Sequence, residues 1–262
     1  GEGVVSWSFS AKRVARILLA RLPIGTKRSL LIAEFARVPR EIAVPVGPTS
    51  VMLAGETSRI DYYTLYGALI DRHFDGSVTD SVVLDIGAHK GYFGARAIRD
   101  GARSVISFEP ASQNLHHLRS AATNVASWEI RPEAVGPAEG TVTLNLSPGS
   151  WGHSTMTPVG GESTGTEIVP VVTLTQVLKE YATTVPTVVK INVEGAAGEM
   201  ILATSPADWA LVRYIWADIE VNDPVGANAI TDHLELCGLV HQTTDGNRRL
   251  FVHHEMNEGD AA

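Results

Sequence analysis

Val82-Val83-Leu84-Asp85-Ile86-Gly87-Ala88-His89-Lys90-Gly91-Tyr92-Phe93-Gly94 is the stretch on which the fold turns: an apolar run, an acid, then glycines four apart opening a helix. Glycines let a chain bend tightly and approach a ligand with no β-carbon in the way, and a helix N-terminus offers free N–H groups. The stretch therefore reads as a nucleotide-binding turn. A dinucleotide turn has the spacing G-x-G-x-x-G. Here Asp85-x-Gly87 is followed by three residues before Gly91, which departs from that spacing.

Twenty-four residues beyond Asp85, Glu109 closes the next apolar run, Val105-Ile106-Ser107-Phe108. That interval is close to the one at which a βαβ unit places a ribose-binding acid. A carboxylate can accept both ribose hydroxyl protons, so Glu109 indicates a ribose without deciding which cofactor carries it.

Working outward, short β-branched runs alternate with helical stretches, the pattern of a parallel sheet. Strands are predicted over residues 81–86, 104–108, 128–135, 187–193 and 213–221. Residues 140–146 and 167–172 read as antiparallel strands, joined by the Gly/Ser/Thr-rich stretch 147–166, a length more often functional than idle. Residues 239–243 and 249–253 flank Asp245-Gly246, a strong hairpin signal that predicts the last strands of the sheet. Before the body, residues 11–35 carry apolar positions at three- and four-residue steps broken by Pro23 and Gly25, predicting two short amphipathic helices whose basic face reads as solvated surface. The proline-rich run 44–48 reads as a connector, dividing an extension (residues 1–48) from a catalytic domain (residues 49–262).

Composition narrows the function. Up to Arg40 the chain has eight Lys/Arg against two acids, leaving thirteen against twenty-seven in the remaining 222 of its 262 residues. Such an acidic body repels phosphate backbones, so a nucleic-acid substrate is disfavoured and a small acceptor expected. No apolar run approaches the roughly 20 residues needed to span a bilayer. Cys237 is the sole cysteine, which excludes an internal disulfide and points to a reducing cytoplasm. The pairs His116-His117 and His253-His254 lack acids or cysteines at metal-ligand spacing, so no metal is expected. A homo-oligomer stays open.

Together, residues 85–94, Phe108-Glu109-Pro110 with Asn114, Ala134-Val135-Gly136, Val171-Val172-Thr173-Leu174 and Val189-Lys190-Ile191-Asn192-Val193-Glu194-Gly195 resemble the FkbM-type methyltransferases over residues 81–220. The resemblance implies a Rossmann-like class I methyltransferase fold: an open, mostly parallel α/β sheet with helices on both faces and, here, a C-terminal antiparallel hairpin. It also implies S-adenosyl-L-methionine as cofactor and O-methylation of a hydroxyl on a natural-product or sugar-type acceptor. By the same resemblance, cofactor contacts fall to Asp85, Gly87, Ala88, Gly91 and Tyr92 in the first turn, to Glu109, Pro110 and Asn114 after the second strand, to Glu133 and Ala134 after the third, and to Asn192. Asp85 is expected to reach the cofactor's ammonium directly or through water.

One position departs from the family pattern: Asn192 stands where Lys-Ile-Asp-Val-Glu-Gly usually has its aspartate. An amide has no basic site near neutral pH, so another group must take any proton removed from the acceptor. His153, in the long polar loop and titrating near neutrality, is the candidate base. Glu194 is expected to orient that base or bind the acceptor, and Lys190 to pair with Glu194 or with Glu220. Trp151 and Met156, with Tyr62, Tyr63 and Tyr66, are candidate walls of an acceptor pocket. Two rivals follow: an NAD-dependent oxidoreductase, against which the missing G-x-G-x-x-G turn counts, and a non-catalytic cofactor-binding relative, which Asn192 would suit.

Overall fold

The computed structural model describes residues 10–36, 38–147, 163–193, 195–221 and 223–256. Its centre is a seven-stranded sheet in the order β11-β12-β10-β9-β3-β4-β5. The five parallel strands are β3 (Val82–Ile86), β4 (Ser104–Phe108), β5 (Trp128–Arg131), β9 (Thr187–Ile191) and β10 (Val212–Asp218). The expected hairpin, β11 (Leu239–Asp245) and β12 (Arg248–His253), completes the sheet with β12 antiparallel to β10. β3 and β9, at the middle, are buried at every position, as strands covered on both faces must be.

The crossovers use α4 (Tyr92–Arg99), α5 (Ser112–Ala122), α6 (Leu174–Tyr181), α7 (Ala197–Leu202) and α8 (Ala227–Leu236). Two buried clusters lie on the two faces of the sheet. One holds Val83, Val105, Tyr92 and Trp128, the other Leu84, Ile106, Val189 and Trp209. Each strand therefore sends alternate side chains to opposite cores.

Two sequence expectations change. The run 128–135 is two strands rather than one, because Pro132 cannot donate a ladder hydrogen bond: β5 ends at Arg131, and β6 (Ala134–Gly136) joins a separate three-stranded sheet in the order β6-β8-β7. In that sheet β7 (Gly140–Leu146) pairs antiparallel with β8 (Gly165–Thr173), as expected. The presumed connector is also ordered. β1 (Ile42–Val46) and β2 (Thr49–Leu53) form a hairpin that turns at Gly47 and Pro48, with Pro45 tolerated because the pair is only two strands wide.

The predicted N-terminal helices are α1 (Ala11–Leu19) and α2 (Ile24–Phe35); Gly25 lies inside the second and does not end it. They are joined to the body through a buried carboxylate. Glu34 accepts hydrogen bonds from Arg13 Nε (2.9 Å), Arg13 Nη2 (3.0 Å) and Tyr62 Oη (2.6 Å), the last from α3 (Ser58–Tyr66). Ile17 and Leu30 enter the same core as Val83, so the extension shares the packing of the domain.

Candidate cofactor and acceptor site

At the carboxyl end of β3 the chain turns through Gly87 (φ 76°), His89 (φ 56°) and Gly91 (φ 87°) before α4 begins. Gly87 N and Ala88 N both donate to Phe108 O (3.0 Å each), which ties the turn to the neighbouring strand. A Cβ on Gly87 would lie 2.0 Å from Asn192 O, and one on Gly91 would lie 2.7 Å from Leu118 Cδ1. At both glycines the space a Cβ would need is taken by the protein itself, while Gly87 also lines the cavity beside the turn.

Asp85 is fully buried in β3. Its carboxylate receives Lys190 Nζ at 2.9 Å from the register position directly opposite on β9, and Ser107 Oγ at 3.4 Å. The same ammonium donates to Gly87 O (2.7 Å) and Ile86 O (3.4 Å). Among the described residues Lys190 thus pairs with Asp85 and not, as expected, with Glu220, and these partners enclose the Asp85 carboxylate. Its charge acts through Lys190, which clamps the carbonyls on which the turn is hung.

Glu109 follows β4 directly, with three donors converging on it. His89 N donates to Oε2 (2.7 Å), while Ala111 N (2.9 Å) and Asn114 Nδ2 (3.4 Å) donate to Oε1. Burial outweighs these bonds and pushes the carboxyl up to about 7. Oε1 already accepts two hydrogen bonds and Oε2 one, so Oε2 keeps an acceptor site that fits a ribose hydroxyl. Pro110 is half-buried beside it, Tyr92 is buried with its hydroxyl on Met52 O (2.9 Å), and Ala134 opens β6. Glu133 is engaged by Arg131 (3.1 Å), so its carboxylate is committed to an ion pair beside the expected adenine end.

A cavity of about 400 Å³ opens beside the turn. Gly87, Ala88 and His89 form one side, Asn192 and Asp218 the strand ends, and Tyr63 with Phe74 the cover. Tyr63 is the one expected tyrosine that lines it; Tyr62 and Tyr66 are core. Asp218, at the end of β10 beside the Asn192 end of β9, was missed from sequence. Its carboxyl is raised by burial and by Glu220, against the opposing influence of Arg248 and Lys190. Only strand parity distinguishes it from a wholly buried residue, and parity depends on a boundary the sequence does not fix. Arg248, also lining the cavity, is held by Asp245 (2.7 Å) and His73 (3.3 Å). His153 and Glu194, with Trp151 and Met156, lie outside the described residues.

The description "Methyltransferase FkbM domain" matches residues 85–243, a span that holds the glycine turn, Glu109, Asn192 and Asp218. This chain belongs to the FkbM methyltransferase family. It is a Rossmann-like methyltransferase, and its cofactor is S-adenosyl-L-methionine. Solved structures similar to this methyltransferase include a putative RNA methyltransferase from Pyrococcus horikoshii, with 12% identity, 87% of this chain and 98% of that chain covered, and a TM-score of 0.40. Another is Aeropyrum pernix fibrillarin with natively bound S-adenosyl-L-methionine, with 10% identity, 72% and 73% covered, and a TM-score of 0.39. No curated protein sequence matches the methyltransferase. Among the described residues no helix is long and apolar enough to cross a membrane, and no cluster of His, Cys, Asp or Glu could hold a metal.

Proposed function

We propose that the enzyme methylates a hydroxyl of a small acceptor bound in the cavity between the glycine turn and α3. The observation that carries this reading is that one cavity joins the cofactor turn at Gly87 to two polar strand ends, Asn192 and Asp218. Its volume suits a small organic molecule, and the acidic body of the chain disfavours nucleic acid.

S-Adenosyl-L-methionine brings a methyl group on a good leaving group, so the protein's work is chiefly alignment. In this reading Glu109 accepts a ribose hydroxyl through Oε2, Asn114 steadies Glu109, and the Lys190 clamp fixes the turn. Pro110, Ala88, Tyr92 and Ala134 complete the cofactor's surroundings. Asn192 holds the acceptor or cofactor through neutral hydrogen bonds.

The proton of the acceptor hydroxyl passes to Asp218. Family members place a carboxylate at position 192; here the carboxylate stands one strand away in the same cavity, and among the described residues it makes no hydrogen bond of its own. Its raised pKa brings it nearer the range of an effective base. His153 and Glu194 remain candidates on sequence grounds, for base and orienting group.

The test is transfer of a radiolabelled methyl group from the cofactor to a panel of hydroxylated small molecules, with RNA and protein as further acceptors. Label on hydroxyl oxygen supports the reading. Label exclusively in RNA, protein or amine nitrogen overturns it.

A further inference from the structure

The helix α2 carries two apolar stripes. Leu30 and Ala33 face inward with Thr26 and Glu34, all buried. On the other side, Ile24, Leu31 and Ile32 follow one another at helical spacing, with Lys27 and Arg28 between them on the same face. Together with Leu18 of α1 they line an open hollow that has two cations and no acid among its described lining residues.

This face is apolar beyond ordinary surface scatter. Of the eleven exposed large apolar side chains among the described residues, six fall between Leu18 and Val38. Within these six the most exposed are at the corner between the helices, where Leu19 is 83% and Ile24 85% exposed. Arg21 stands exposed in that corner. A helix apolar on both sides is stable in water only if its second side is covered.

Charge selects what covers it. The first forty residues are strongly basic and the remainder strongly acidic. A second copy laid on the same face would bring Lys27, Arg28 and Arg21 against their own kind. A surface that is apolar within and anionic at its boundary meets both demands, since Leu and Ile insert below the headgroups while long cationic side chains stay at their level.

We infer that the α1–α2 face docks the enzyme on the surface of an anionic lipid bilayer. α1 backs the wall of the cavity: the Arg13 guanidinium lies over the ring of Tyr63, which lines it, at 5.4 Å, and Arg16 pairs with Asp71 in the turn that follows α3. Docking therefore takes place beside the acceptor cavity.

Cosedimentation of the full chain with phosphatidylcholine vesicles, and with vesicles containing phosphatidylglycerol, tests the inference. Binding is expected to the anionic vesicles alone and to weaken with added salt. Each basic residue contributes roughly fivefold to such partitioning, so the pair Arg21→Glu and Arg28→Glu should cost at least about 25-fold. The pair Ile24→Ser and Ile32→Ser should cost about tenfold or more through lost apolar contact. Both pairs lie on the surface, so melting temperature and S-adenosylhomocysteine affinity should stay at wild-type values. Absence of binding to anionic vesicles, equal binding to neutral ones, or binding unaffected by either pair overturns the inference. A dimer in solution that the Ile24→Ser, Ile32→Ser pair dissolves would also overturn it, by showing that a second copy covers the face.

Discussion

Glu109 couples cofactor binding to protons, with a sign that can be worked out. Its carboxyl sits at about 7 in the folded chain because burial costs the charged form more than three donors return. Ribose hydroxyls donate best to the ionised form, so binding must hold the carboxylate deprotonated. The apparent affinity for S-adenosylhomocysteine then falls with the ionised fraction, by about tenfold from pH 8 to pH 6 and about a hundredfold from pH 8 to pH 5. Without ligand the linkage runs the other way. The folded chain keeps a proton that the unfolded chain releases above its ordinary value near 4.5, so this group's contribution to stability is full below that pH and is lost as pH rises through about 7. The loss is at most roughly 3–4 kcal/mol, since one pKa unit corresponds to about 1.4 kcal/mol. Calorimetric titration in buffers of different ionisation enthalpy should show proton release near pH 6.5, and Glu109→Gln should bind weakly but without this pH dependence. An affinity that is flat from pH 5.5 to 8.5, or a pH dependence that survives in Glu109→Gln, would refute the reasoning.

Three further perturbations test the surrounding architecture. Lys190→Met leaves Asp85 buried without its ammonium and should lower stability by about 3–5 kcal/mol, read by denaturant unfolding; an unchanged midpoint would deny the clamp. Gly87→Ala places a Cβ 2.0 Å from Asn192 O, so the melting temperature should fall together with cofactor affinity; normal melting with affinity alone lost would return the glycine to a purely ligand-facing role. Asp218→Asn should reduce turnover on an identified acceptor by about 10²–10⁴-fold with cofactor affinity retained, and His153→Ala should leave it near wild type. The reverse pattern would move the base to the loop.

The fold was legible in sequence where local chemistry and global packing agree. An apolar strand running into Gly87 and Gly91 can hardly be anything but a strand-to-helix turn, and Asp245-Gly246 between alternating runs gives its hairpin. What escaped was whatever depends on register between strands distant in the chain. Asp85 and Lys190 are 105 residues apart, and nothing local says that β3 and β9 lie side by side with these two opposite. Asp218 escaped for the same reason, since its cavity-facing position is set by where β10 stops beside β9. The run 128–135 misled because apolar residues resume at Ala134 and Val135 after Pro132 while the hydrogen-bond ladder does not. The double-faced α2 was hidden by its own composition: a helix apolar on both sides resembles an ordinary core helix until the packing shows which side is covered.

The small sheet has a consequence for how such an enzyme can diversify. Glu167 of β8 accepts from both Ser112 N (3.0 Å) and Ser112 Oγ, at the first residue of the helix that also carries Asn114. The joined end of the β7–β8 hairpin, two residues into β8 from Gly165, is thereby fastened to the ribose end of the site. The fastening uses Glu167 and Ser112 and no residue between Leu146 and Gly165, so that stretch can change without removing either partner. Selection can rewrite this stretch for new acceptors while the apparatus for a shared cofactor is inherited unchanged.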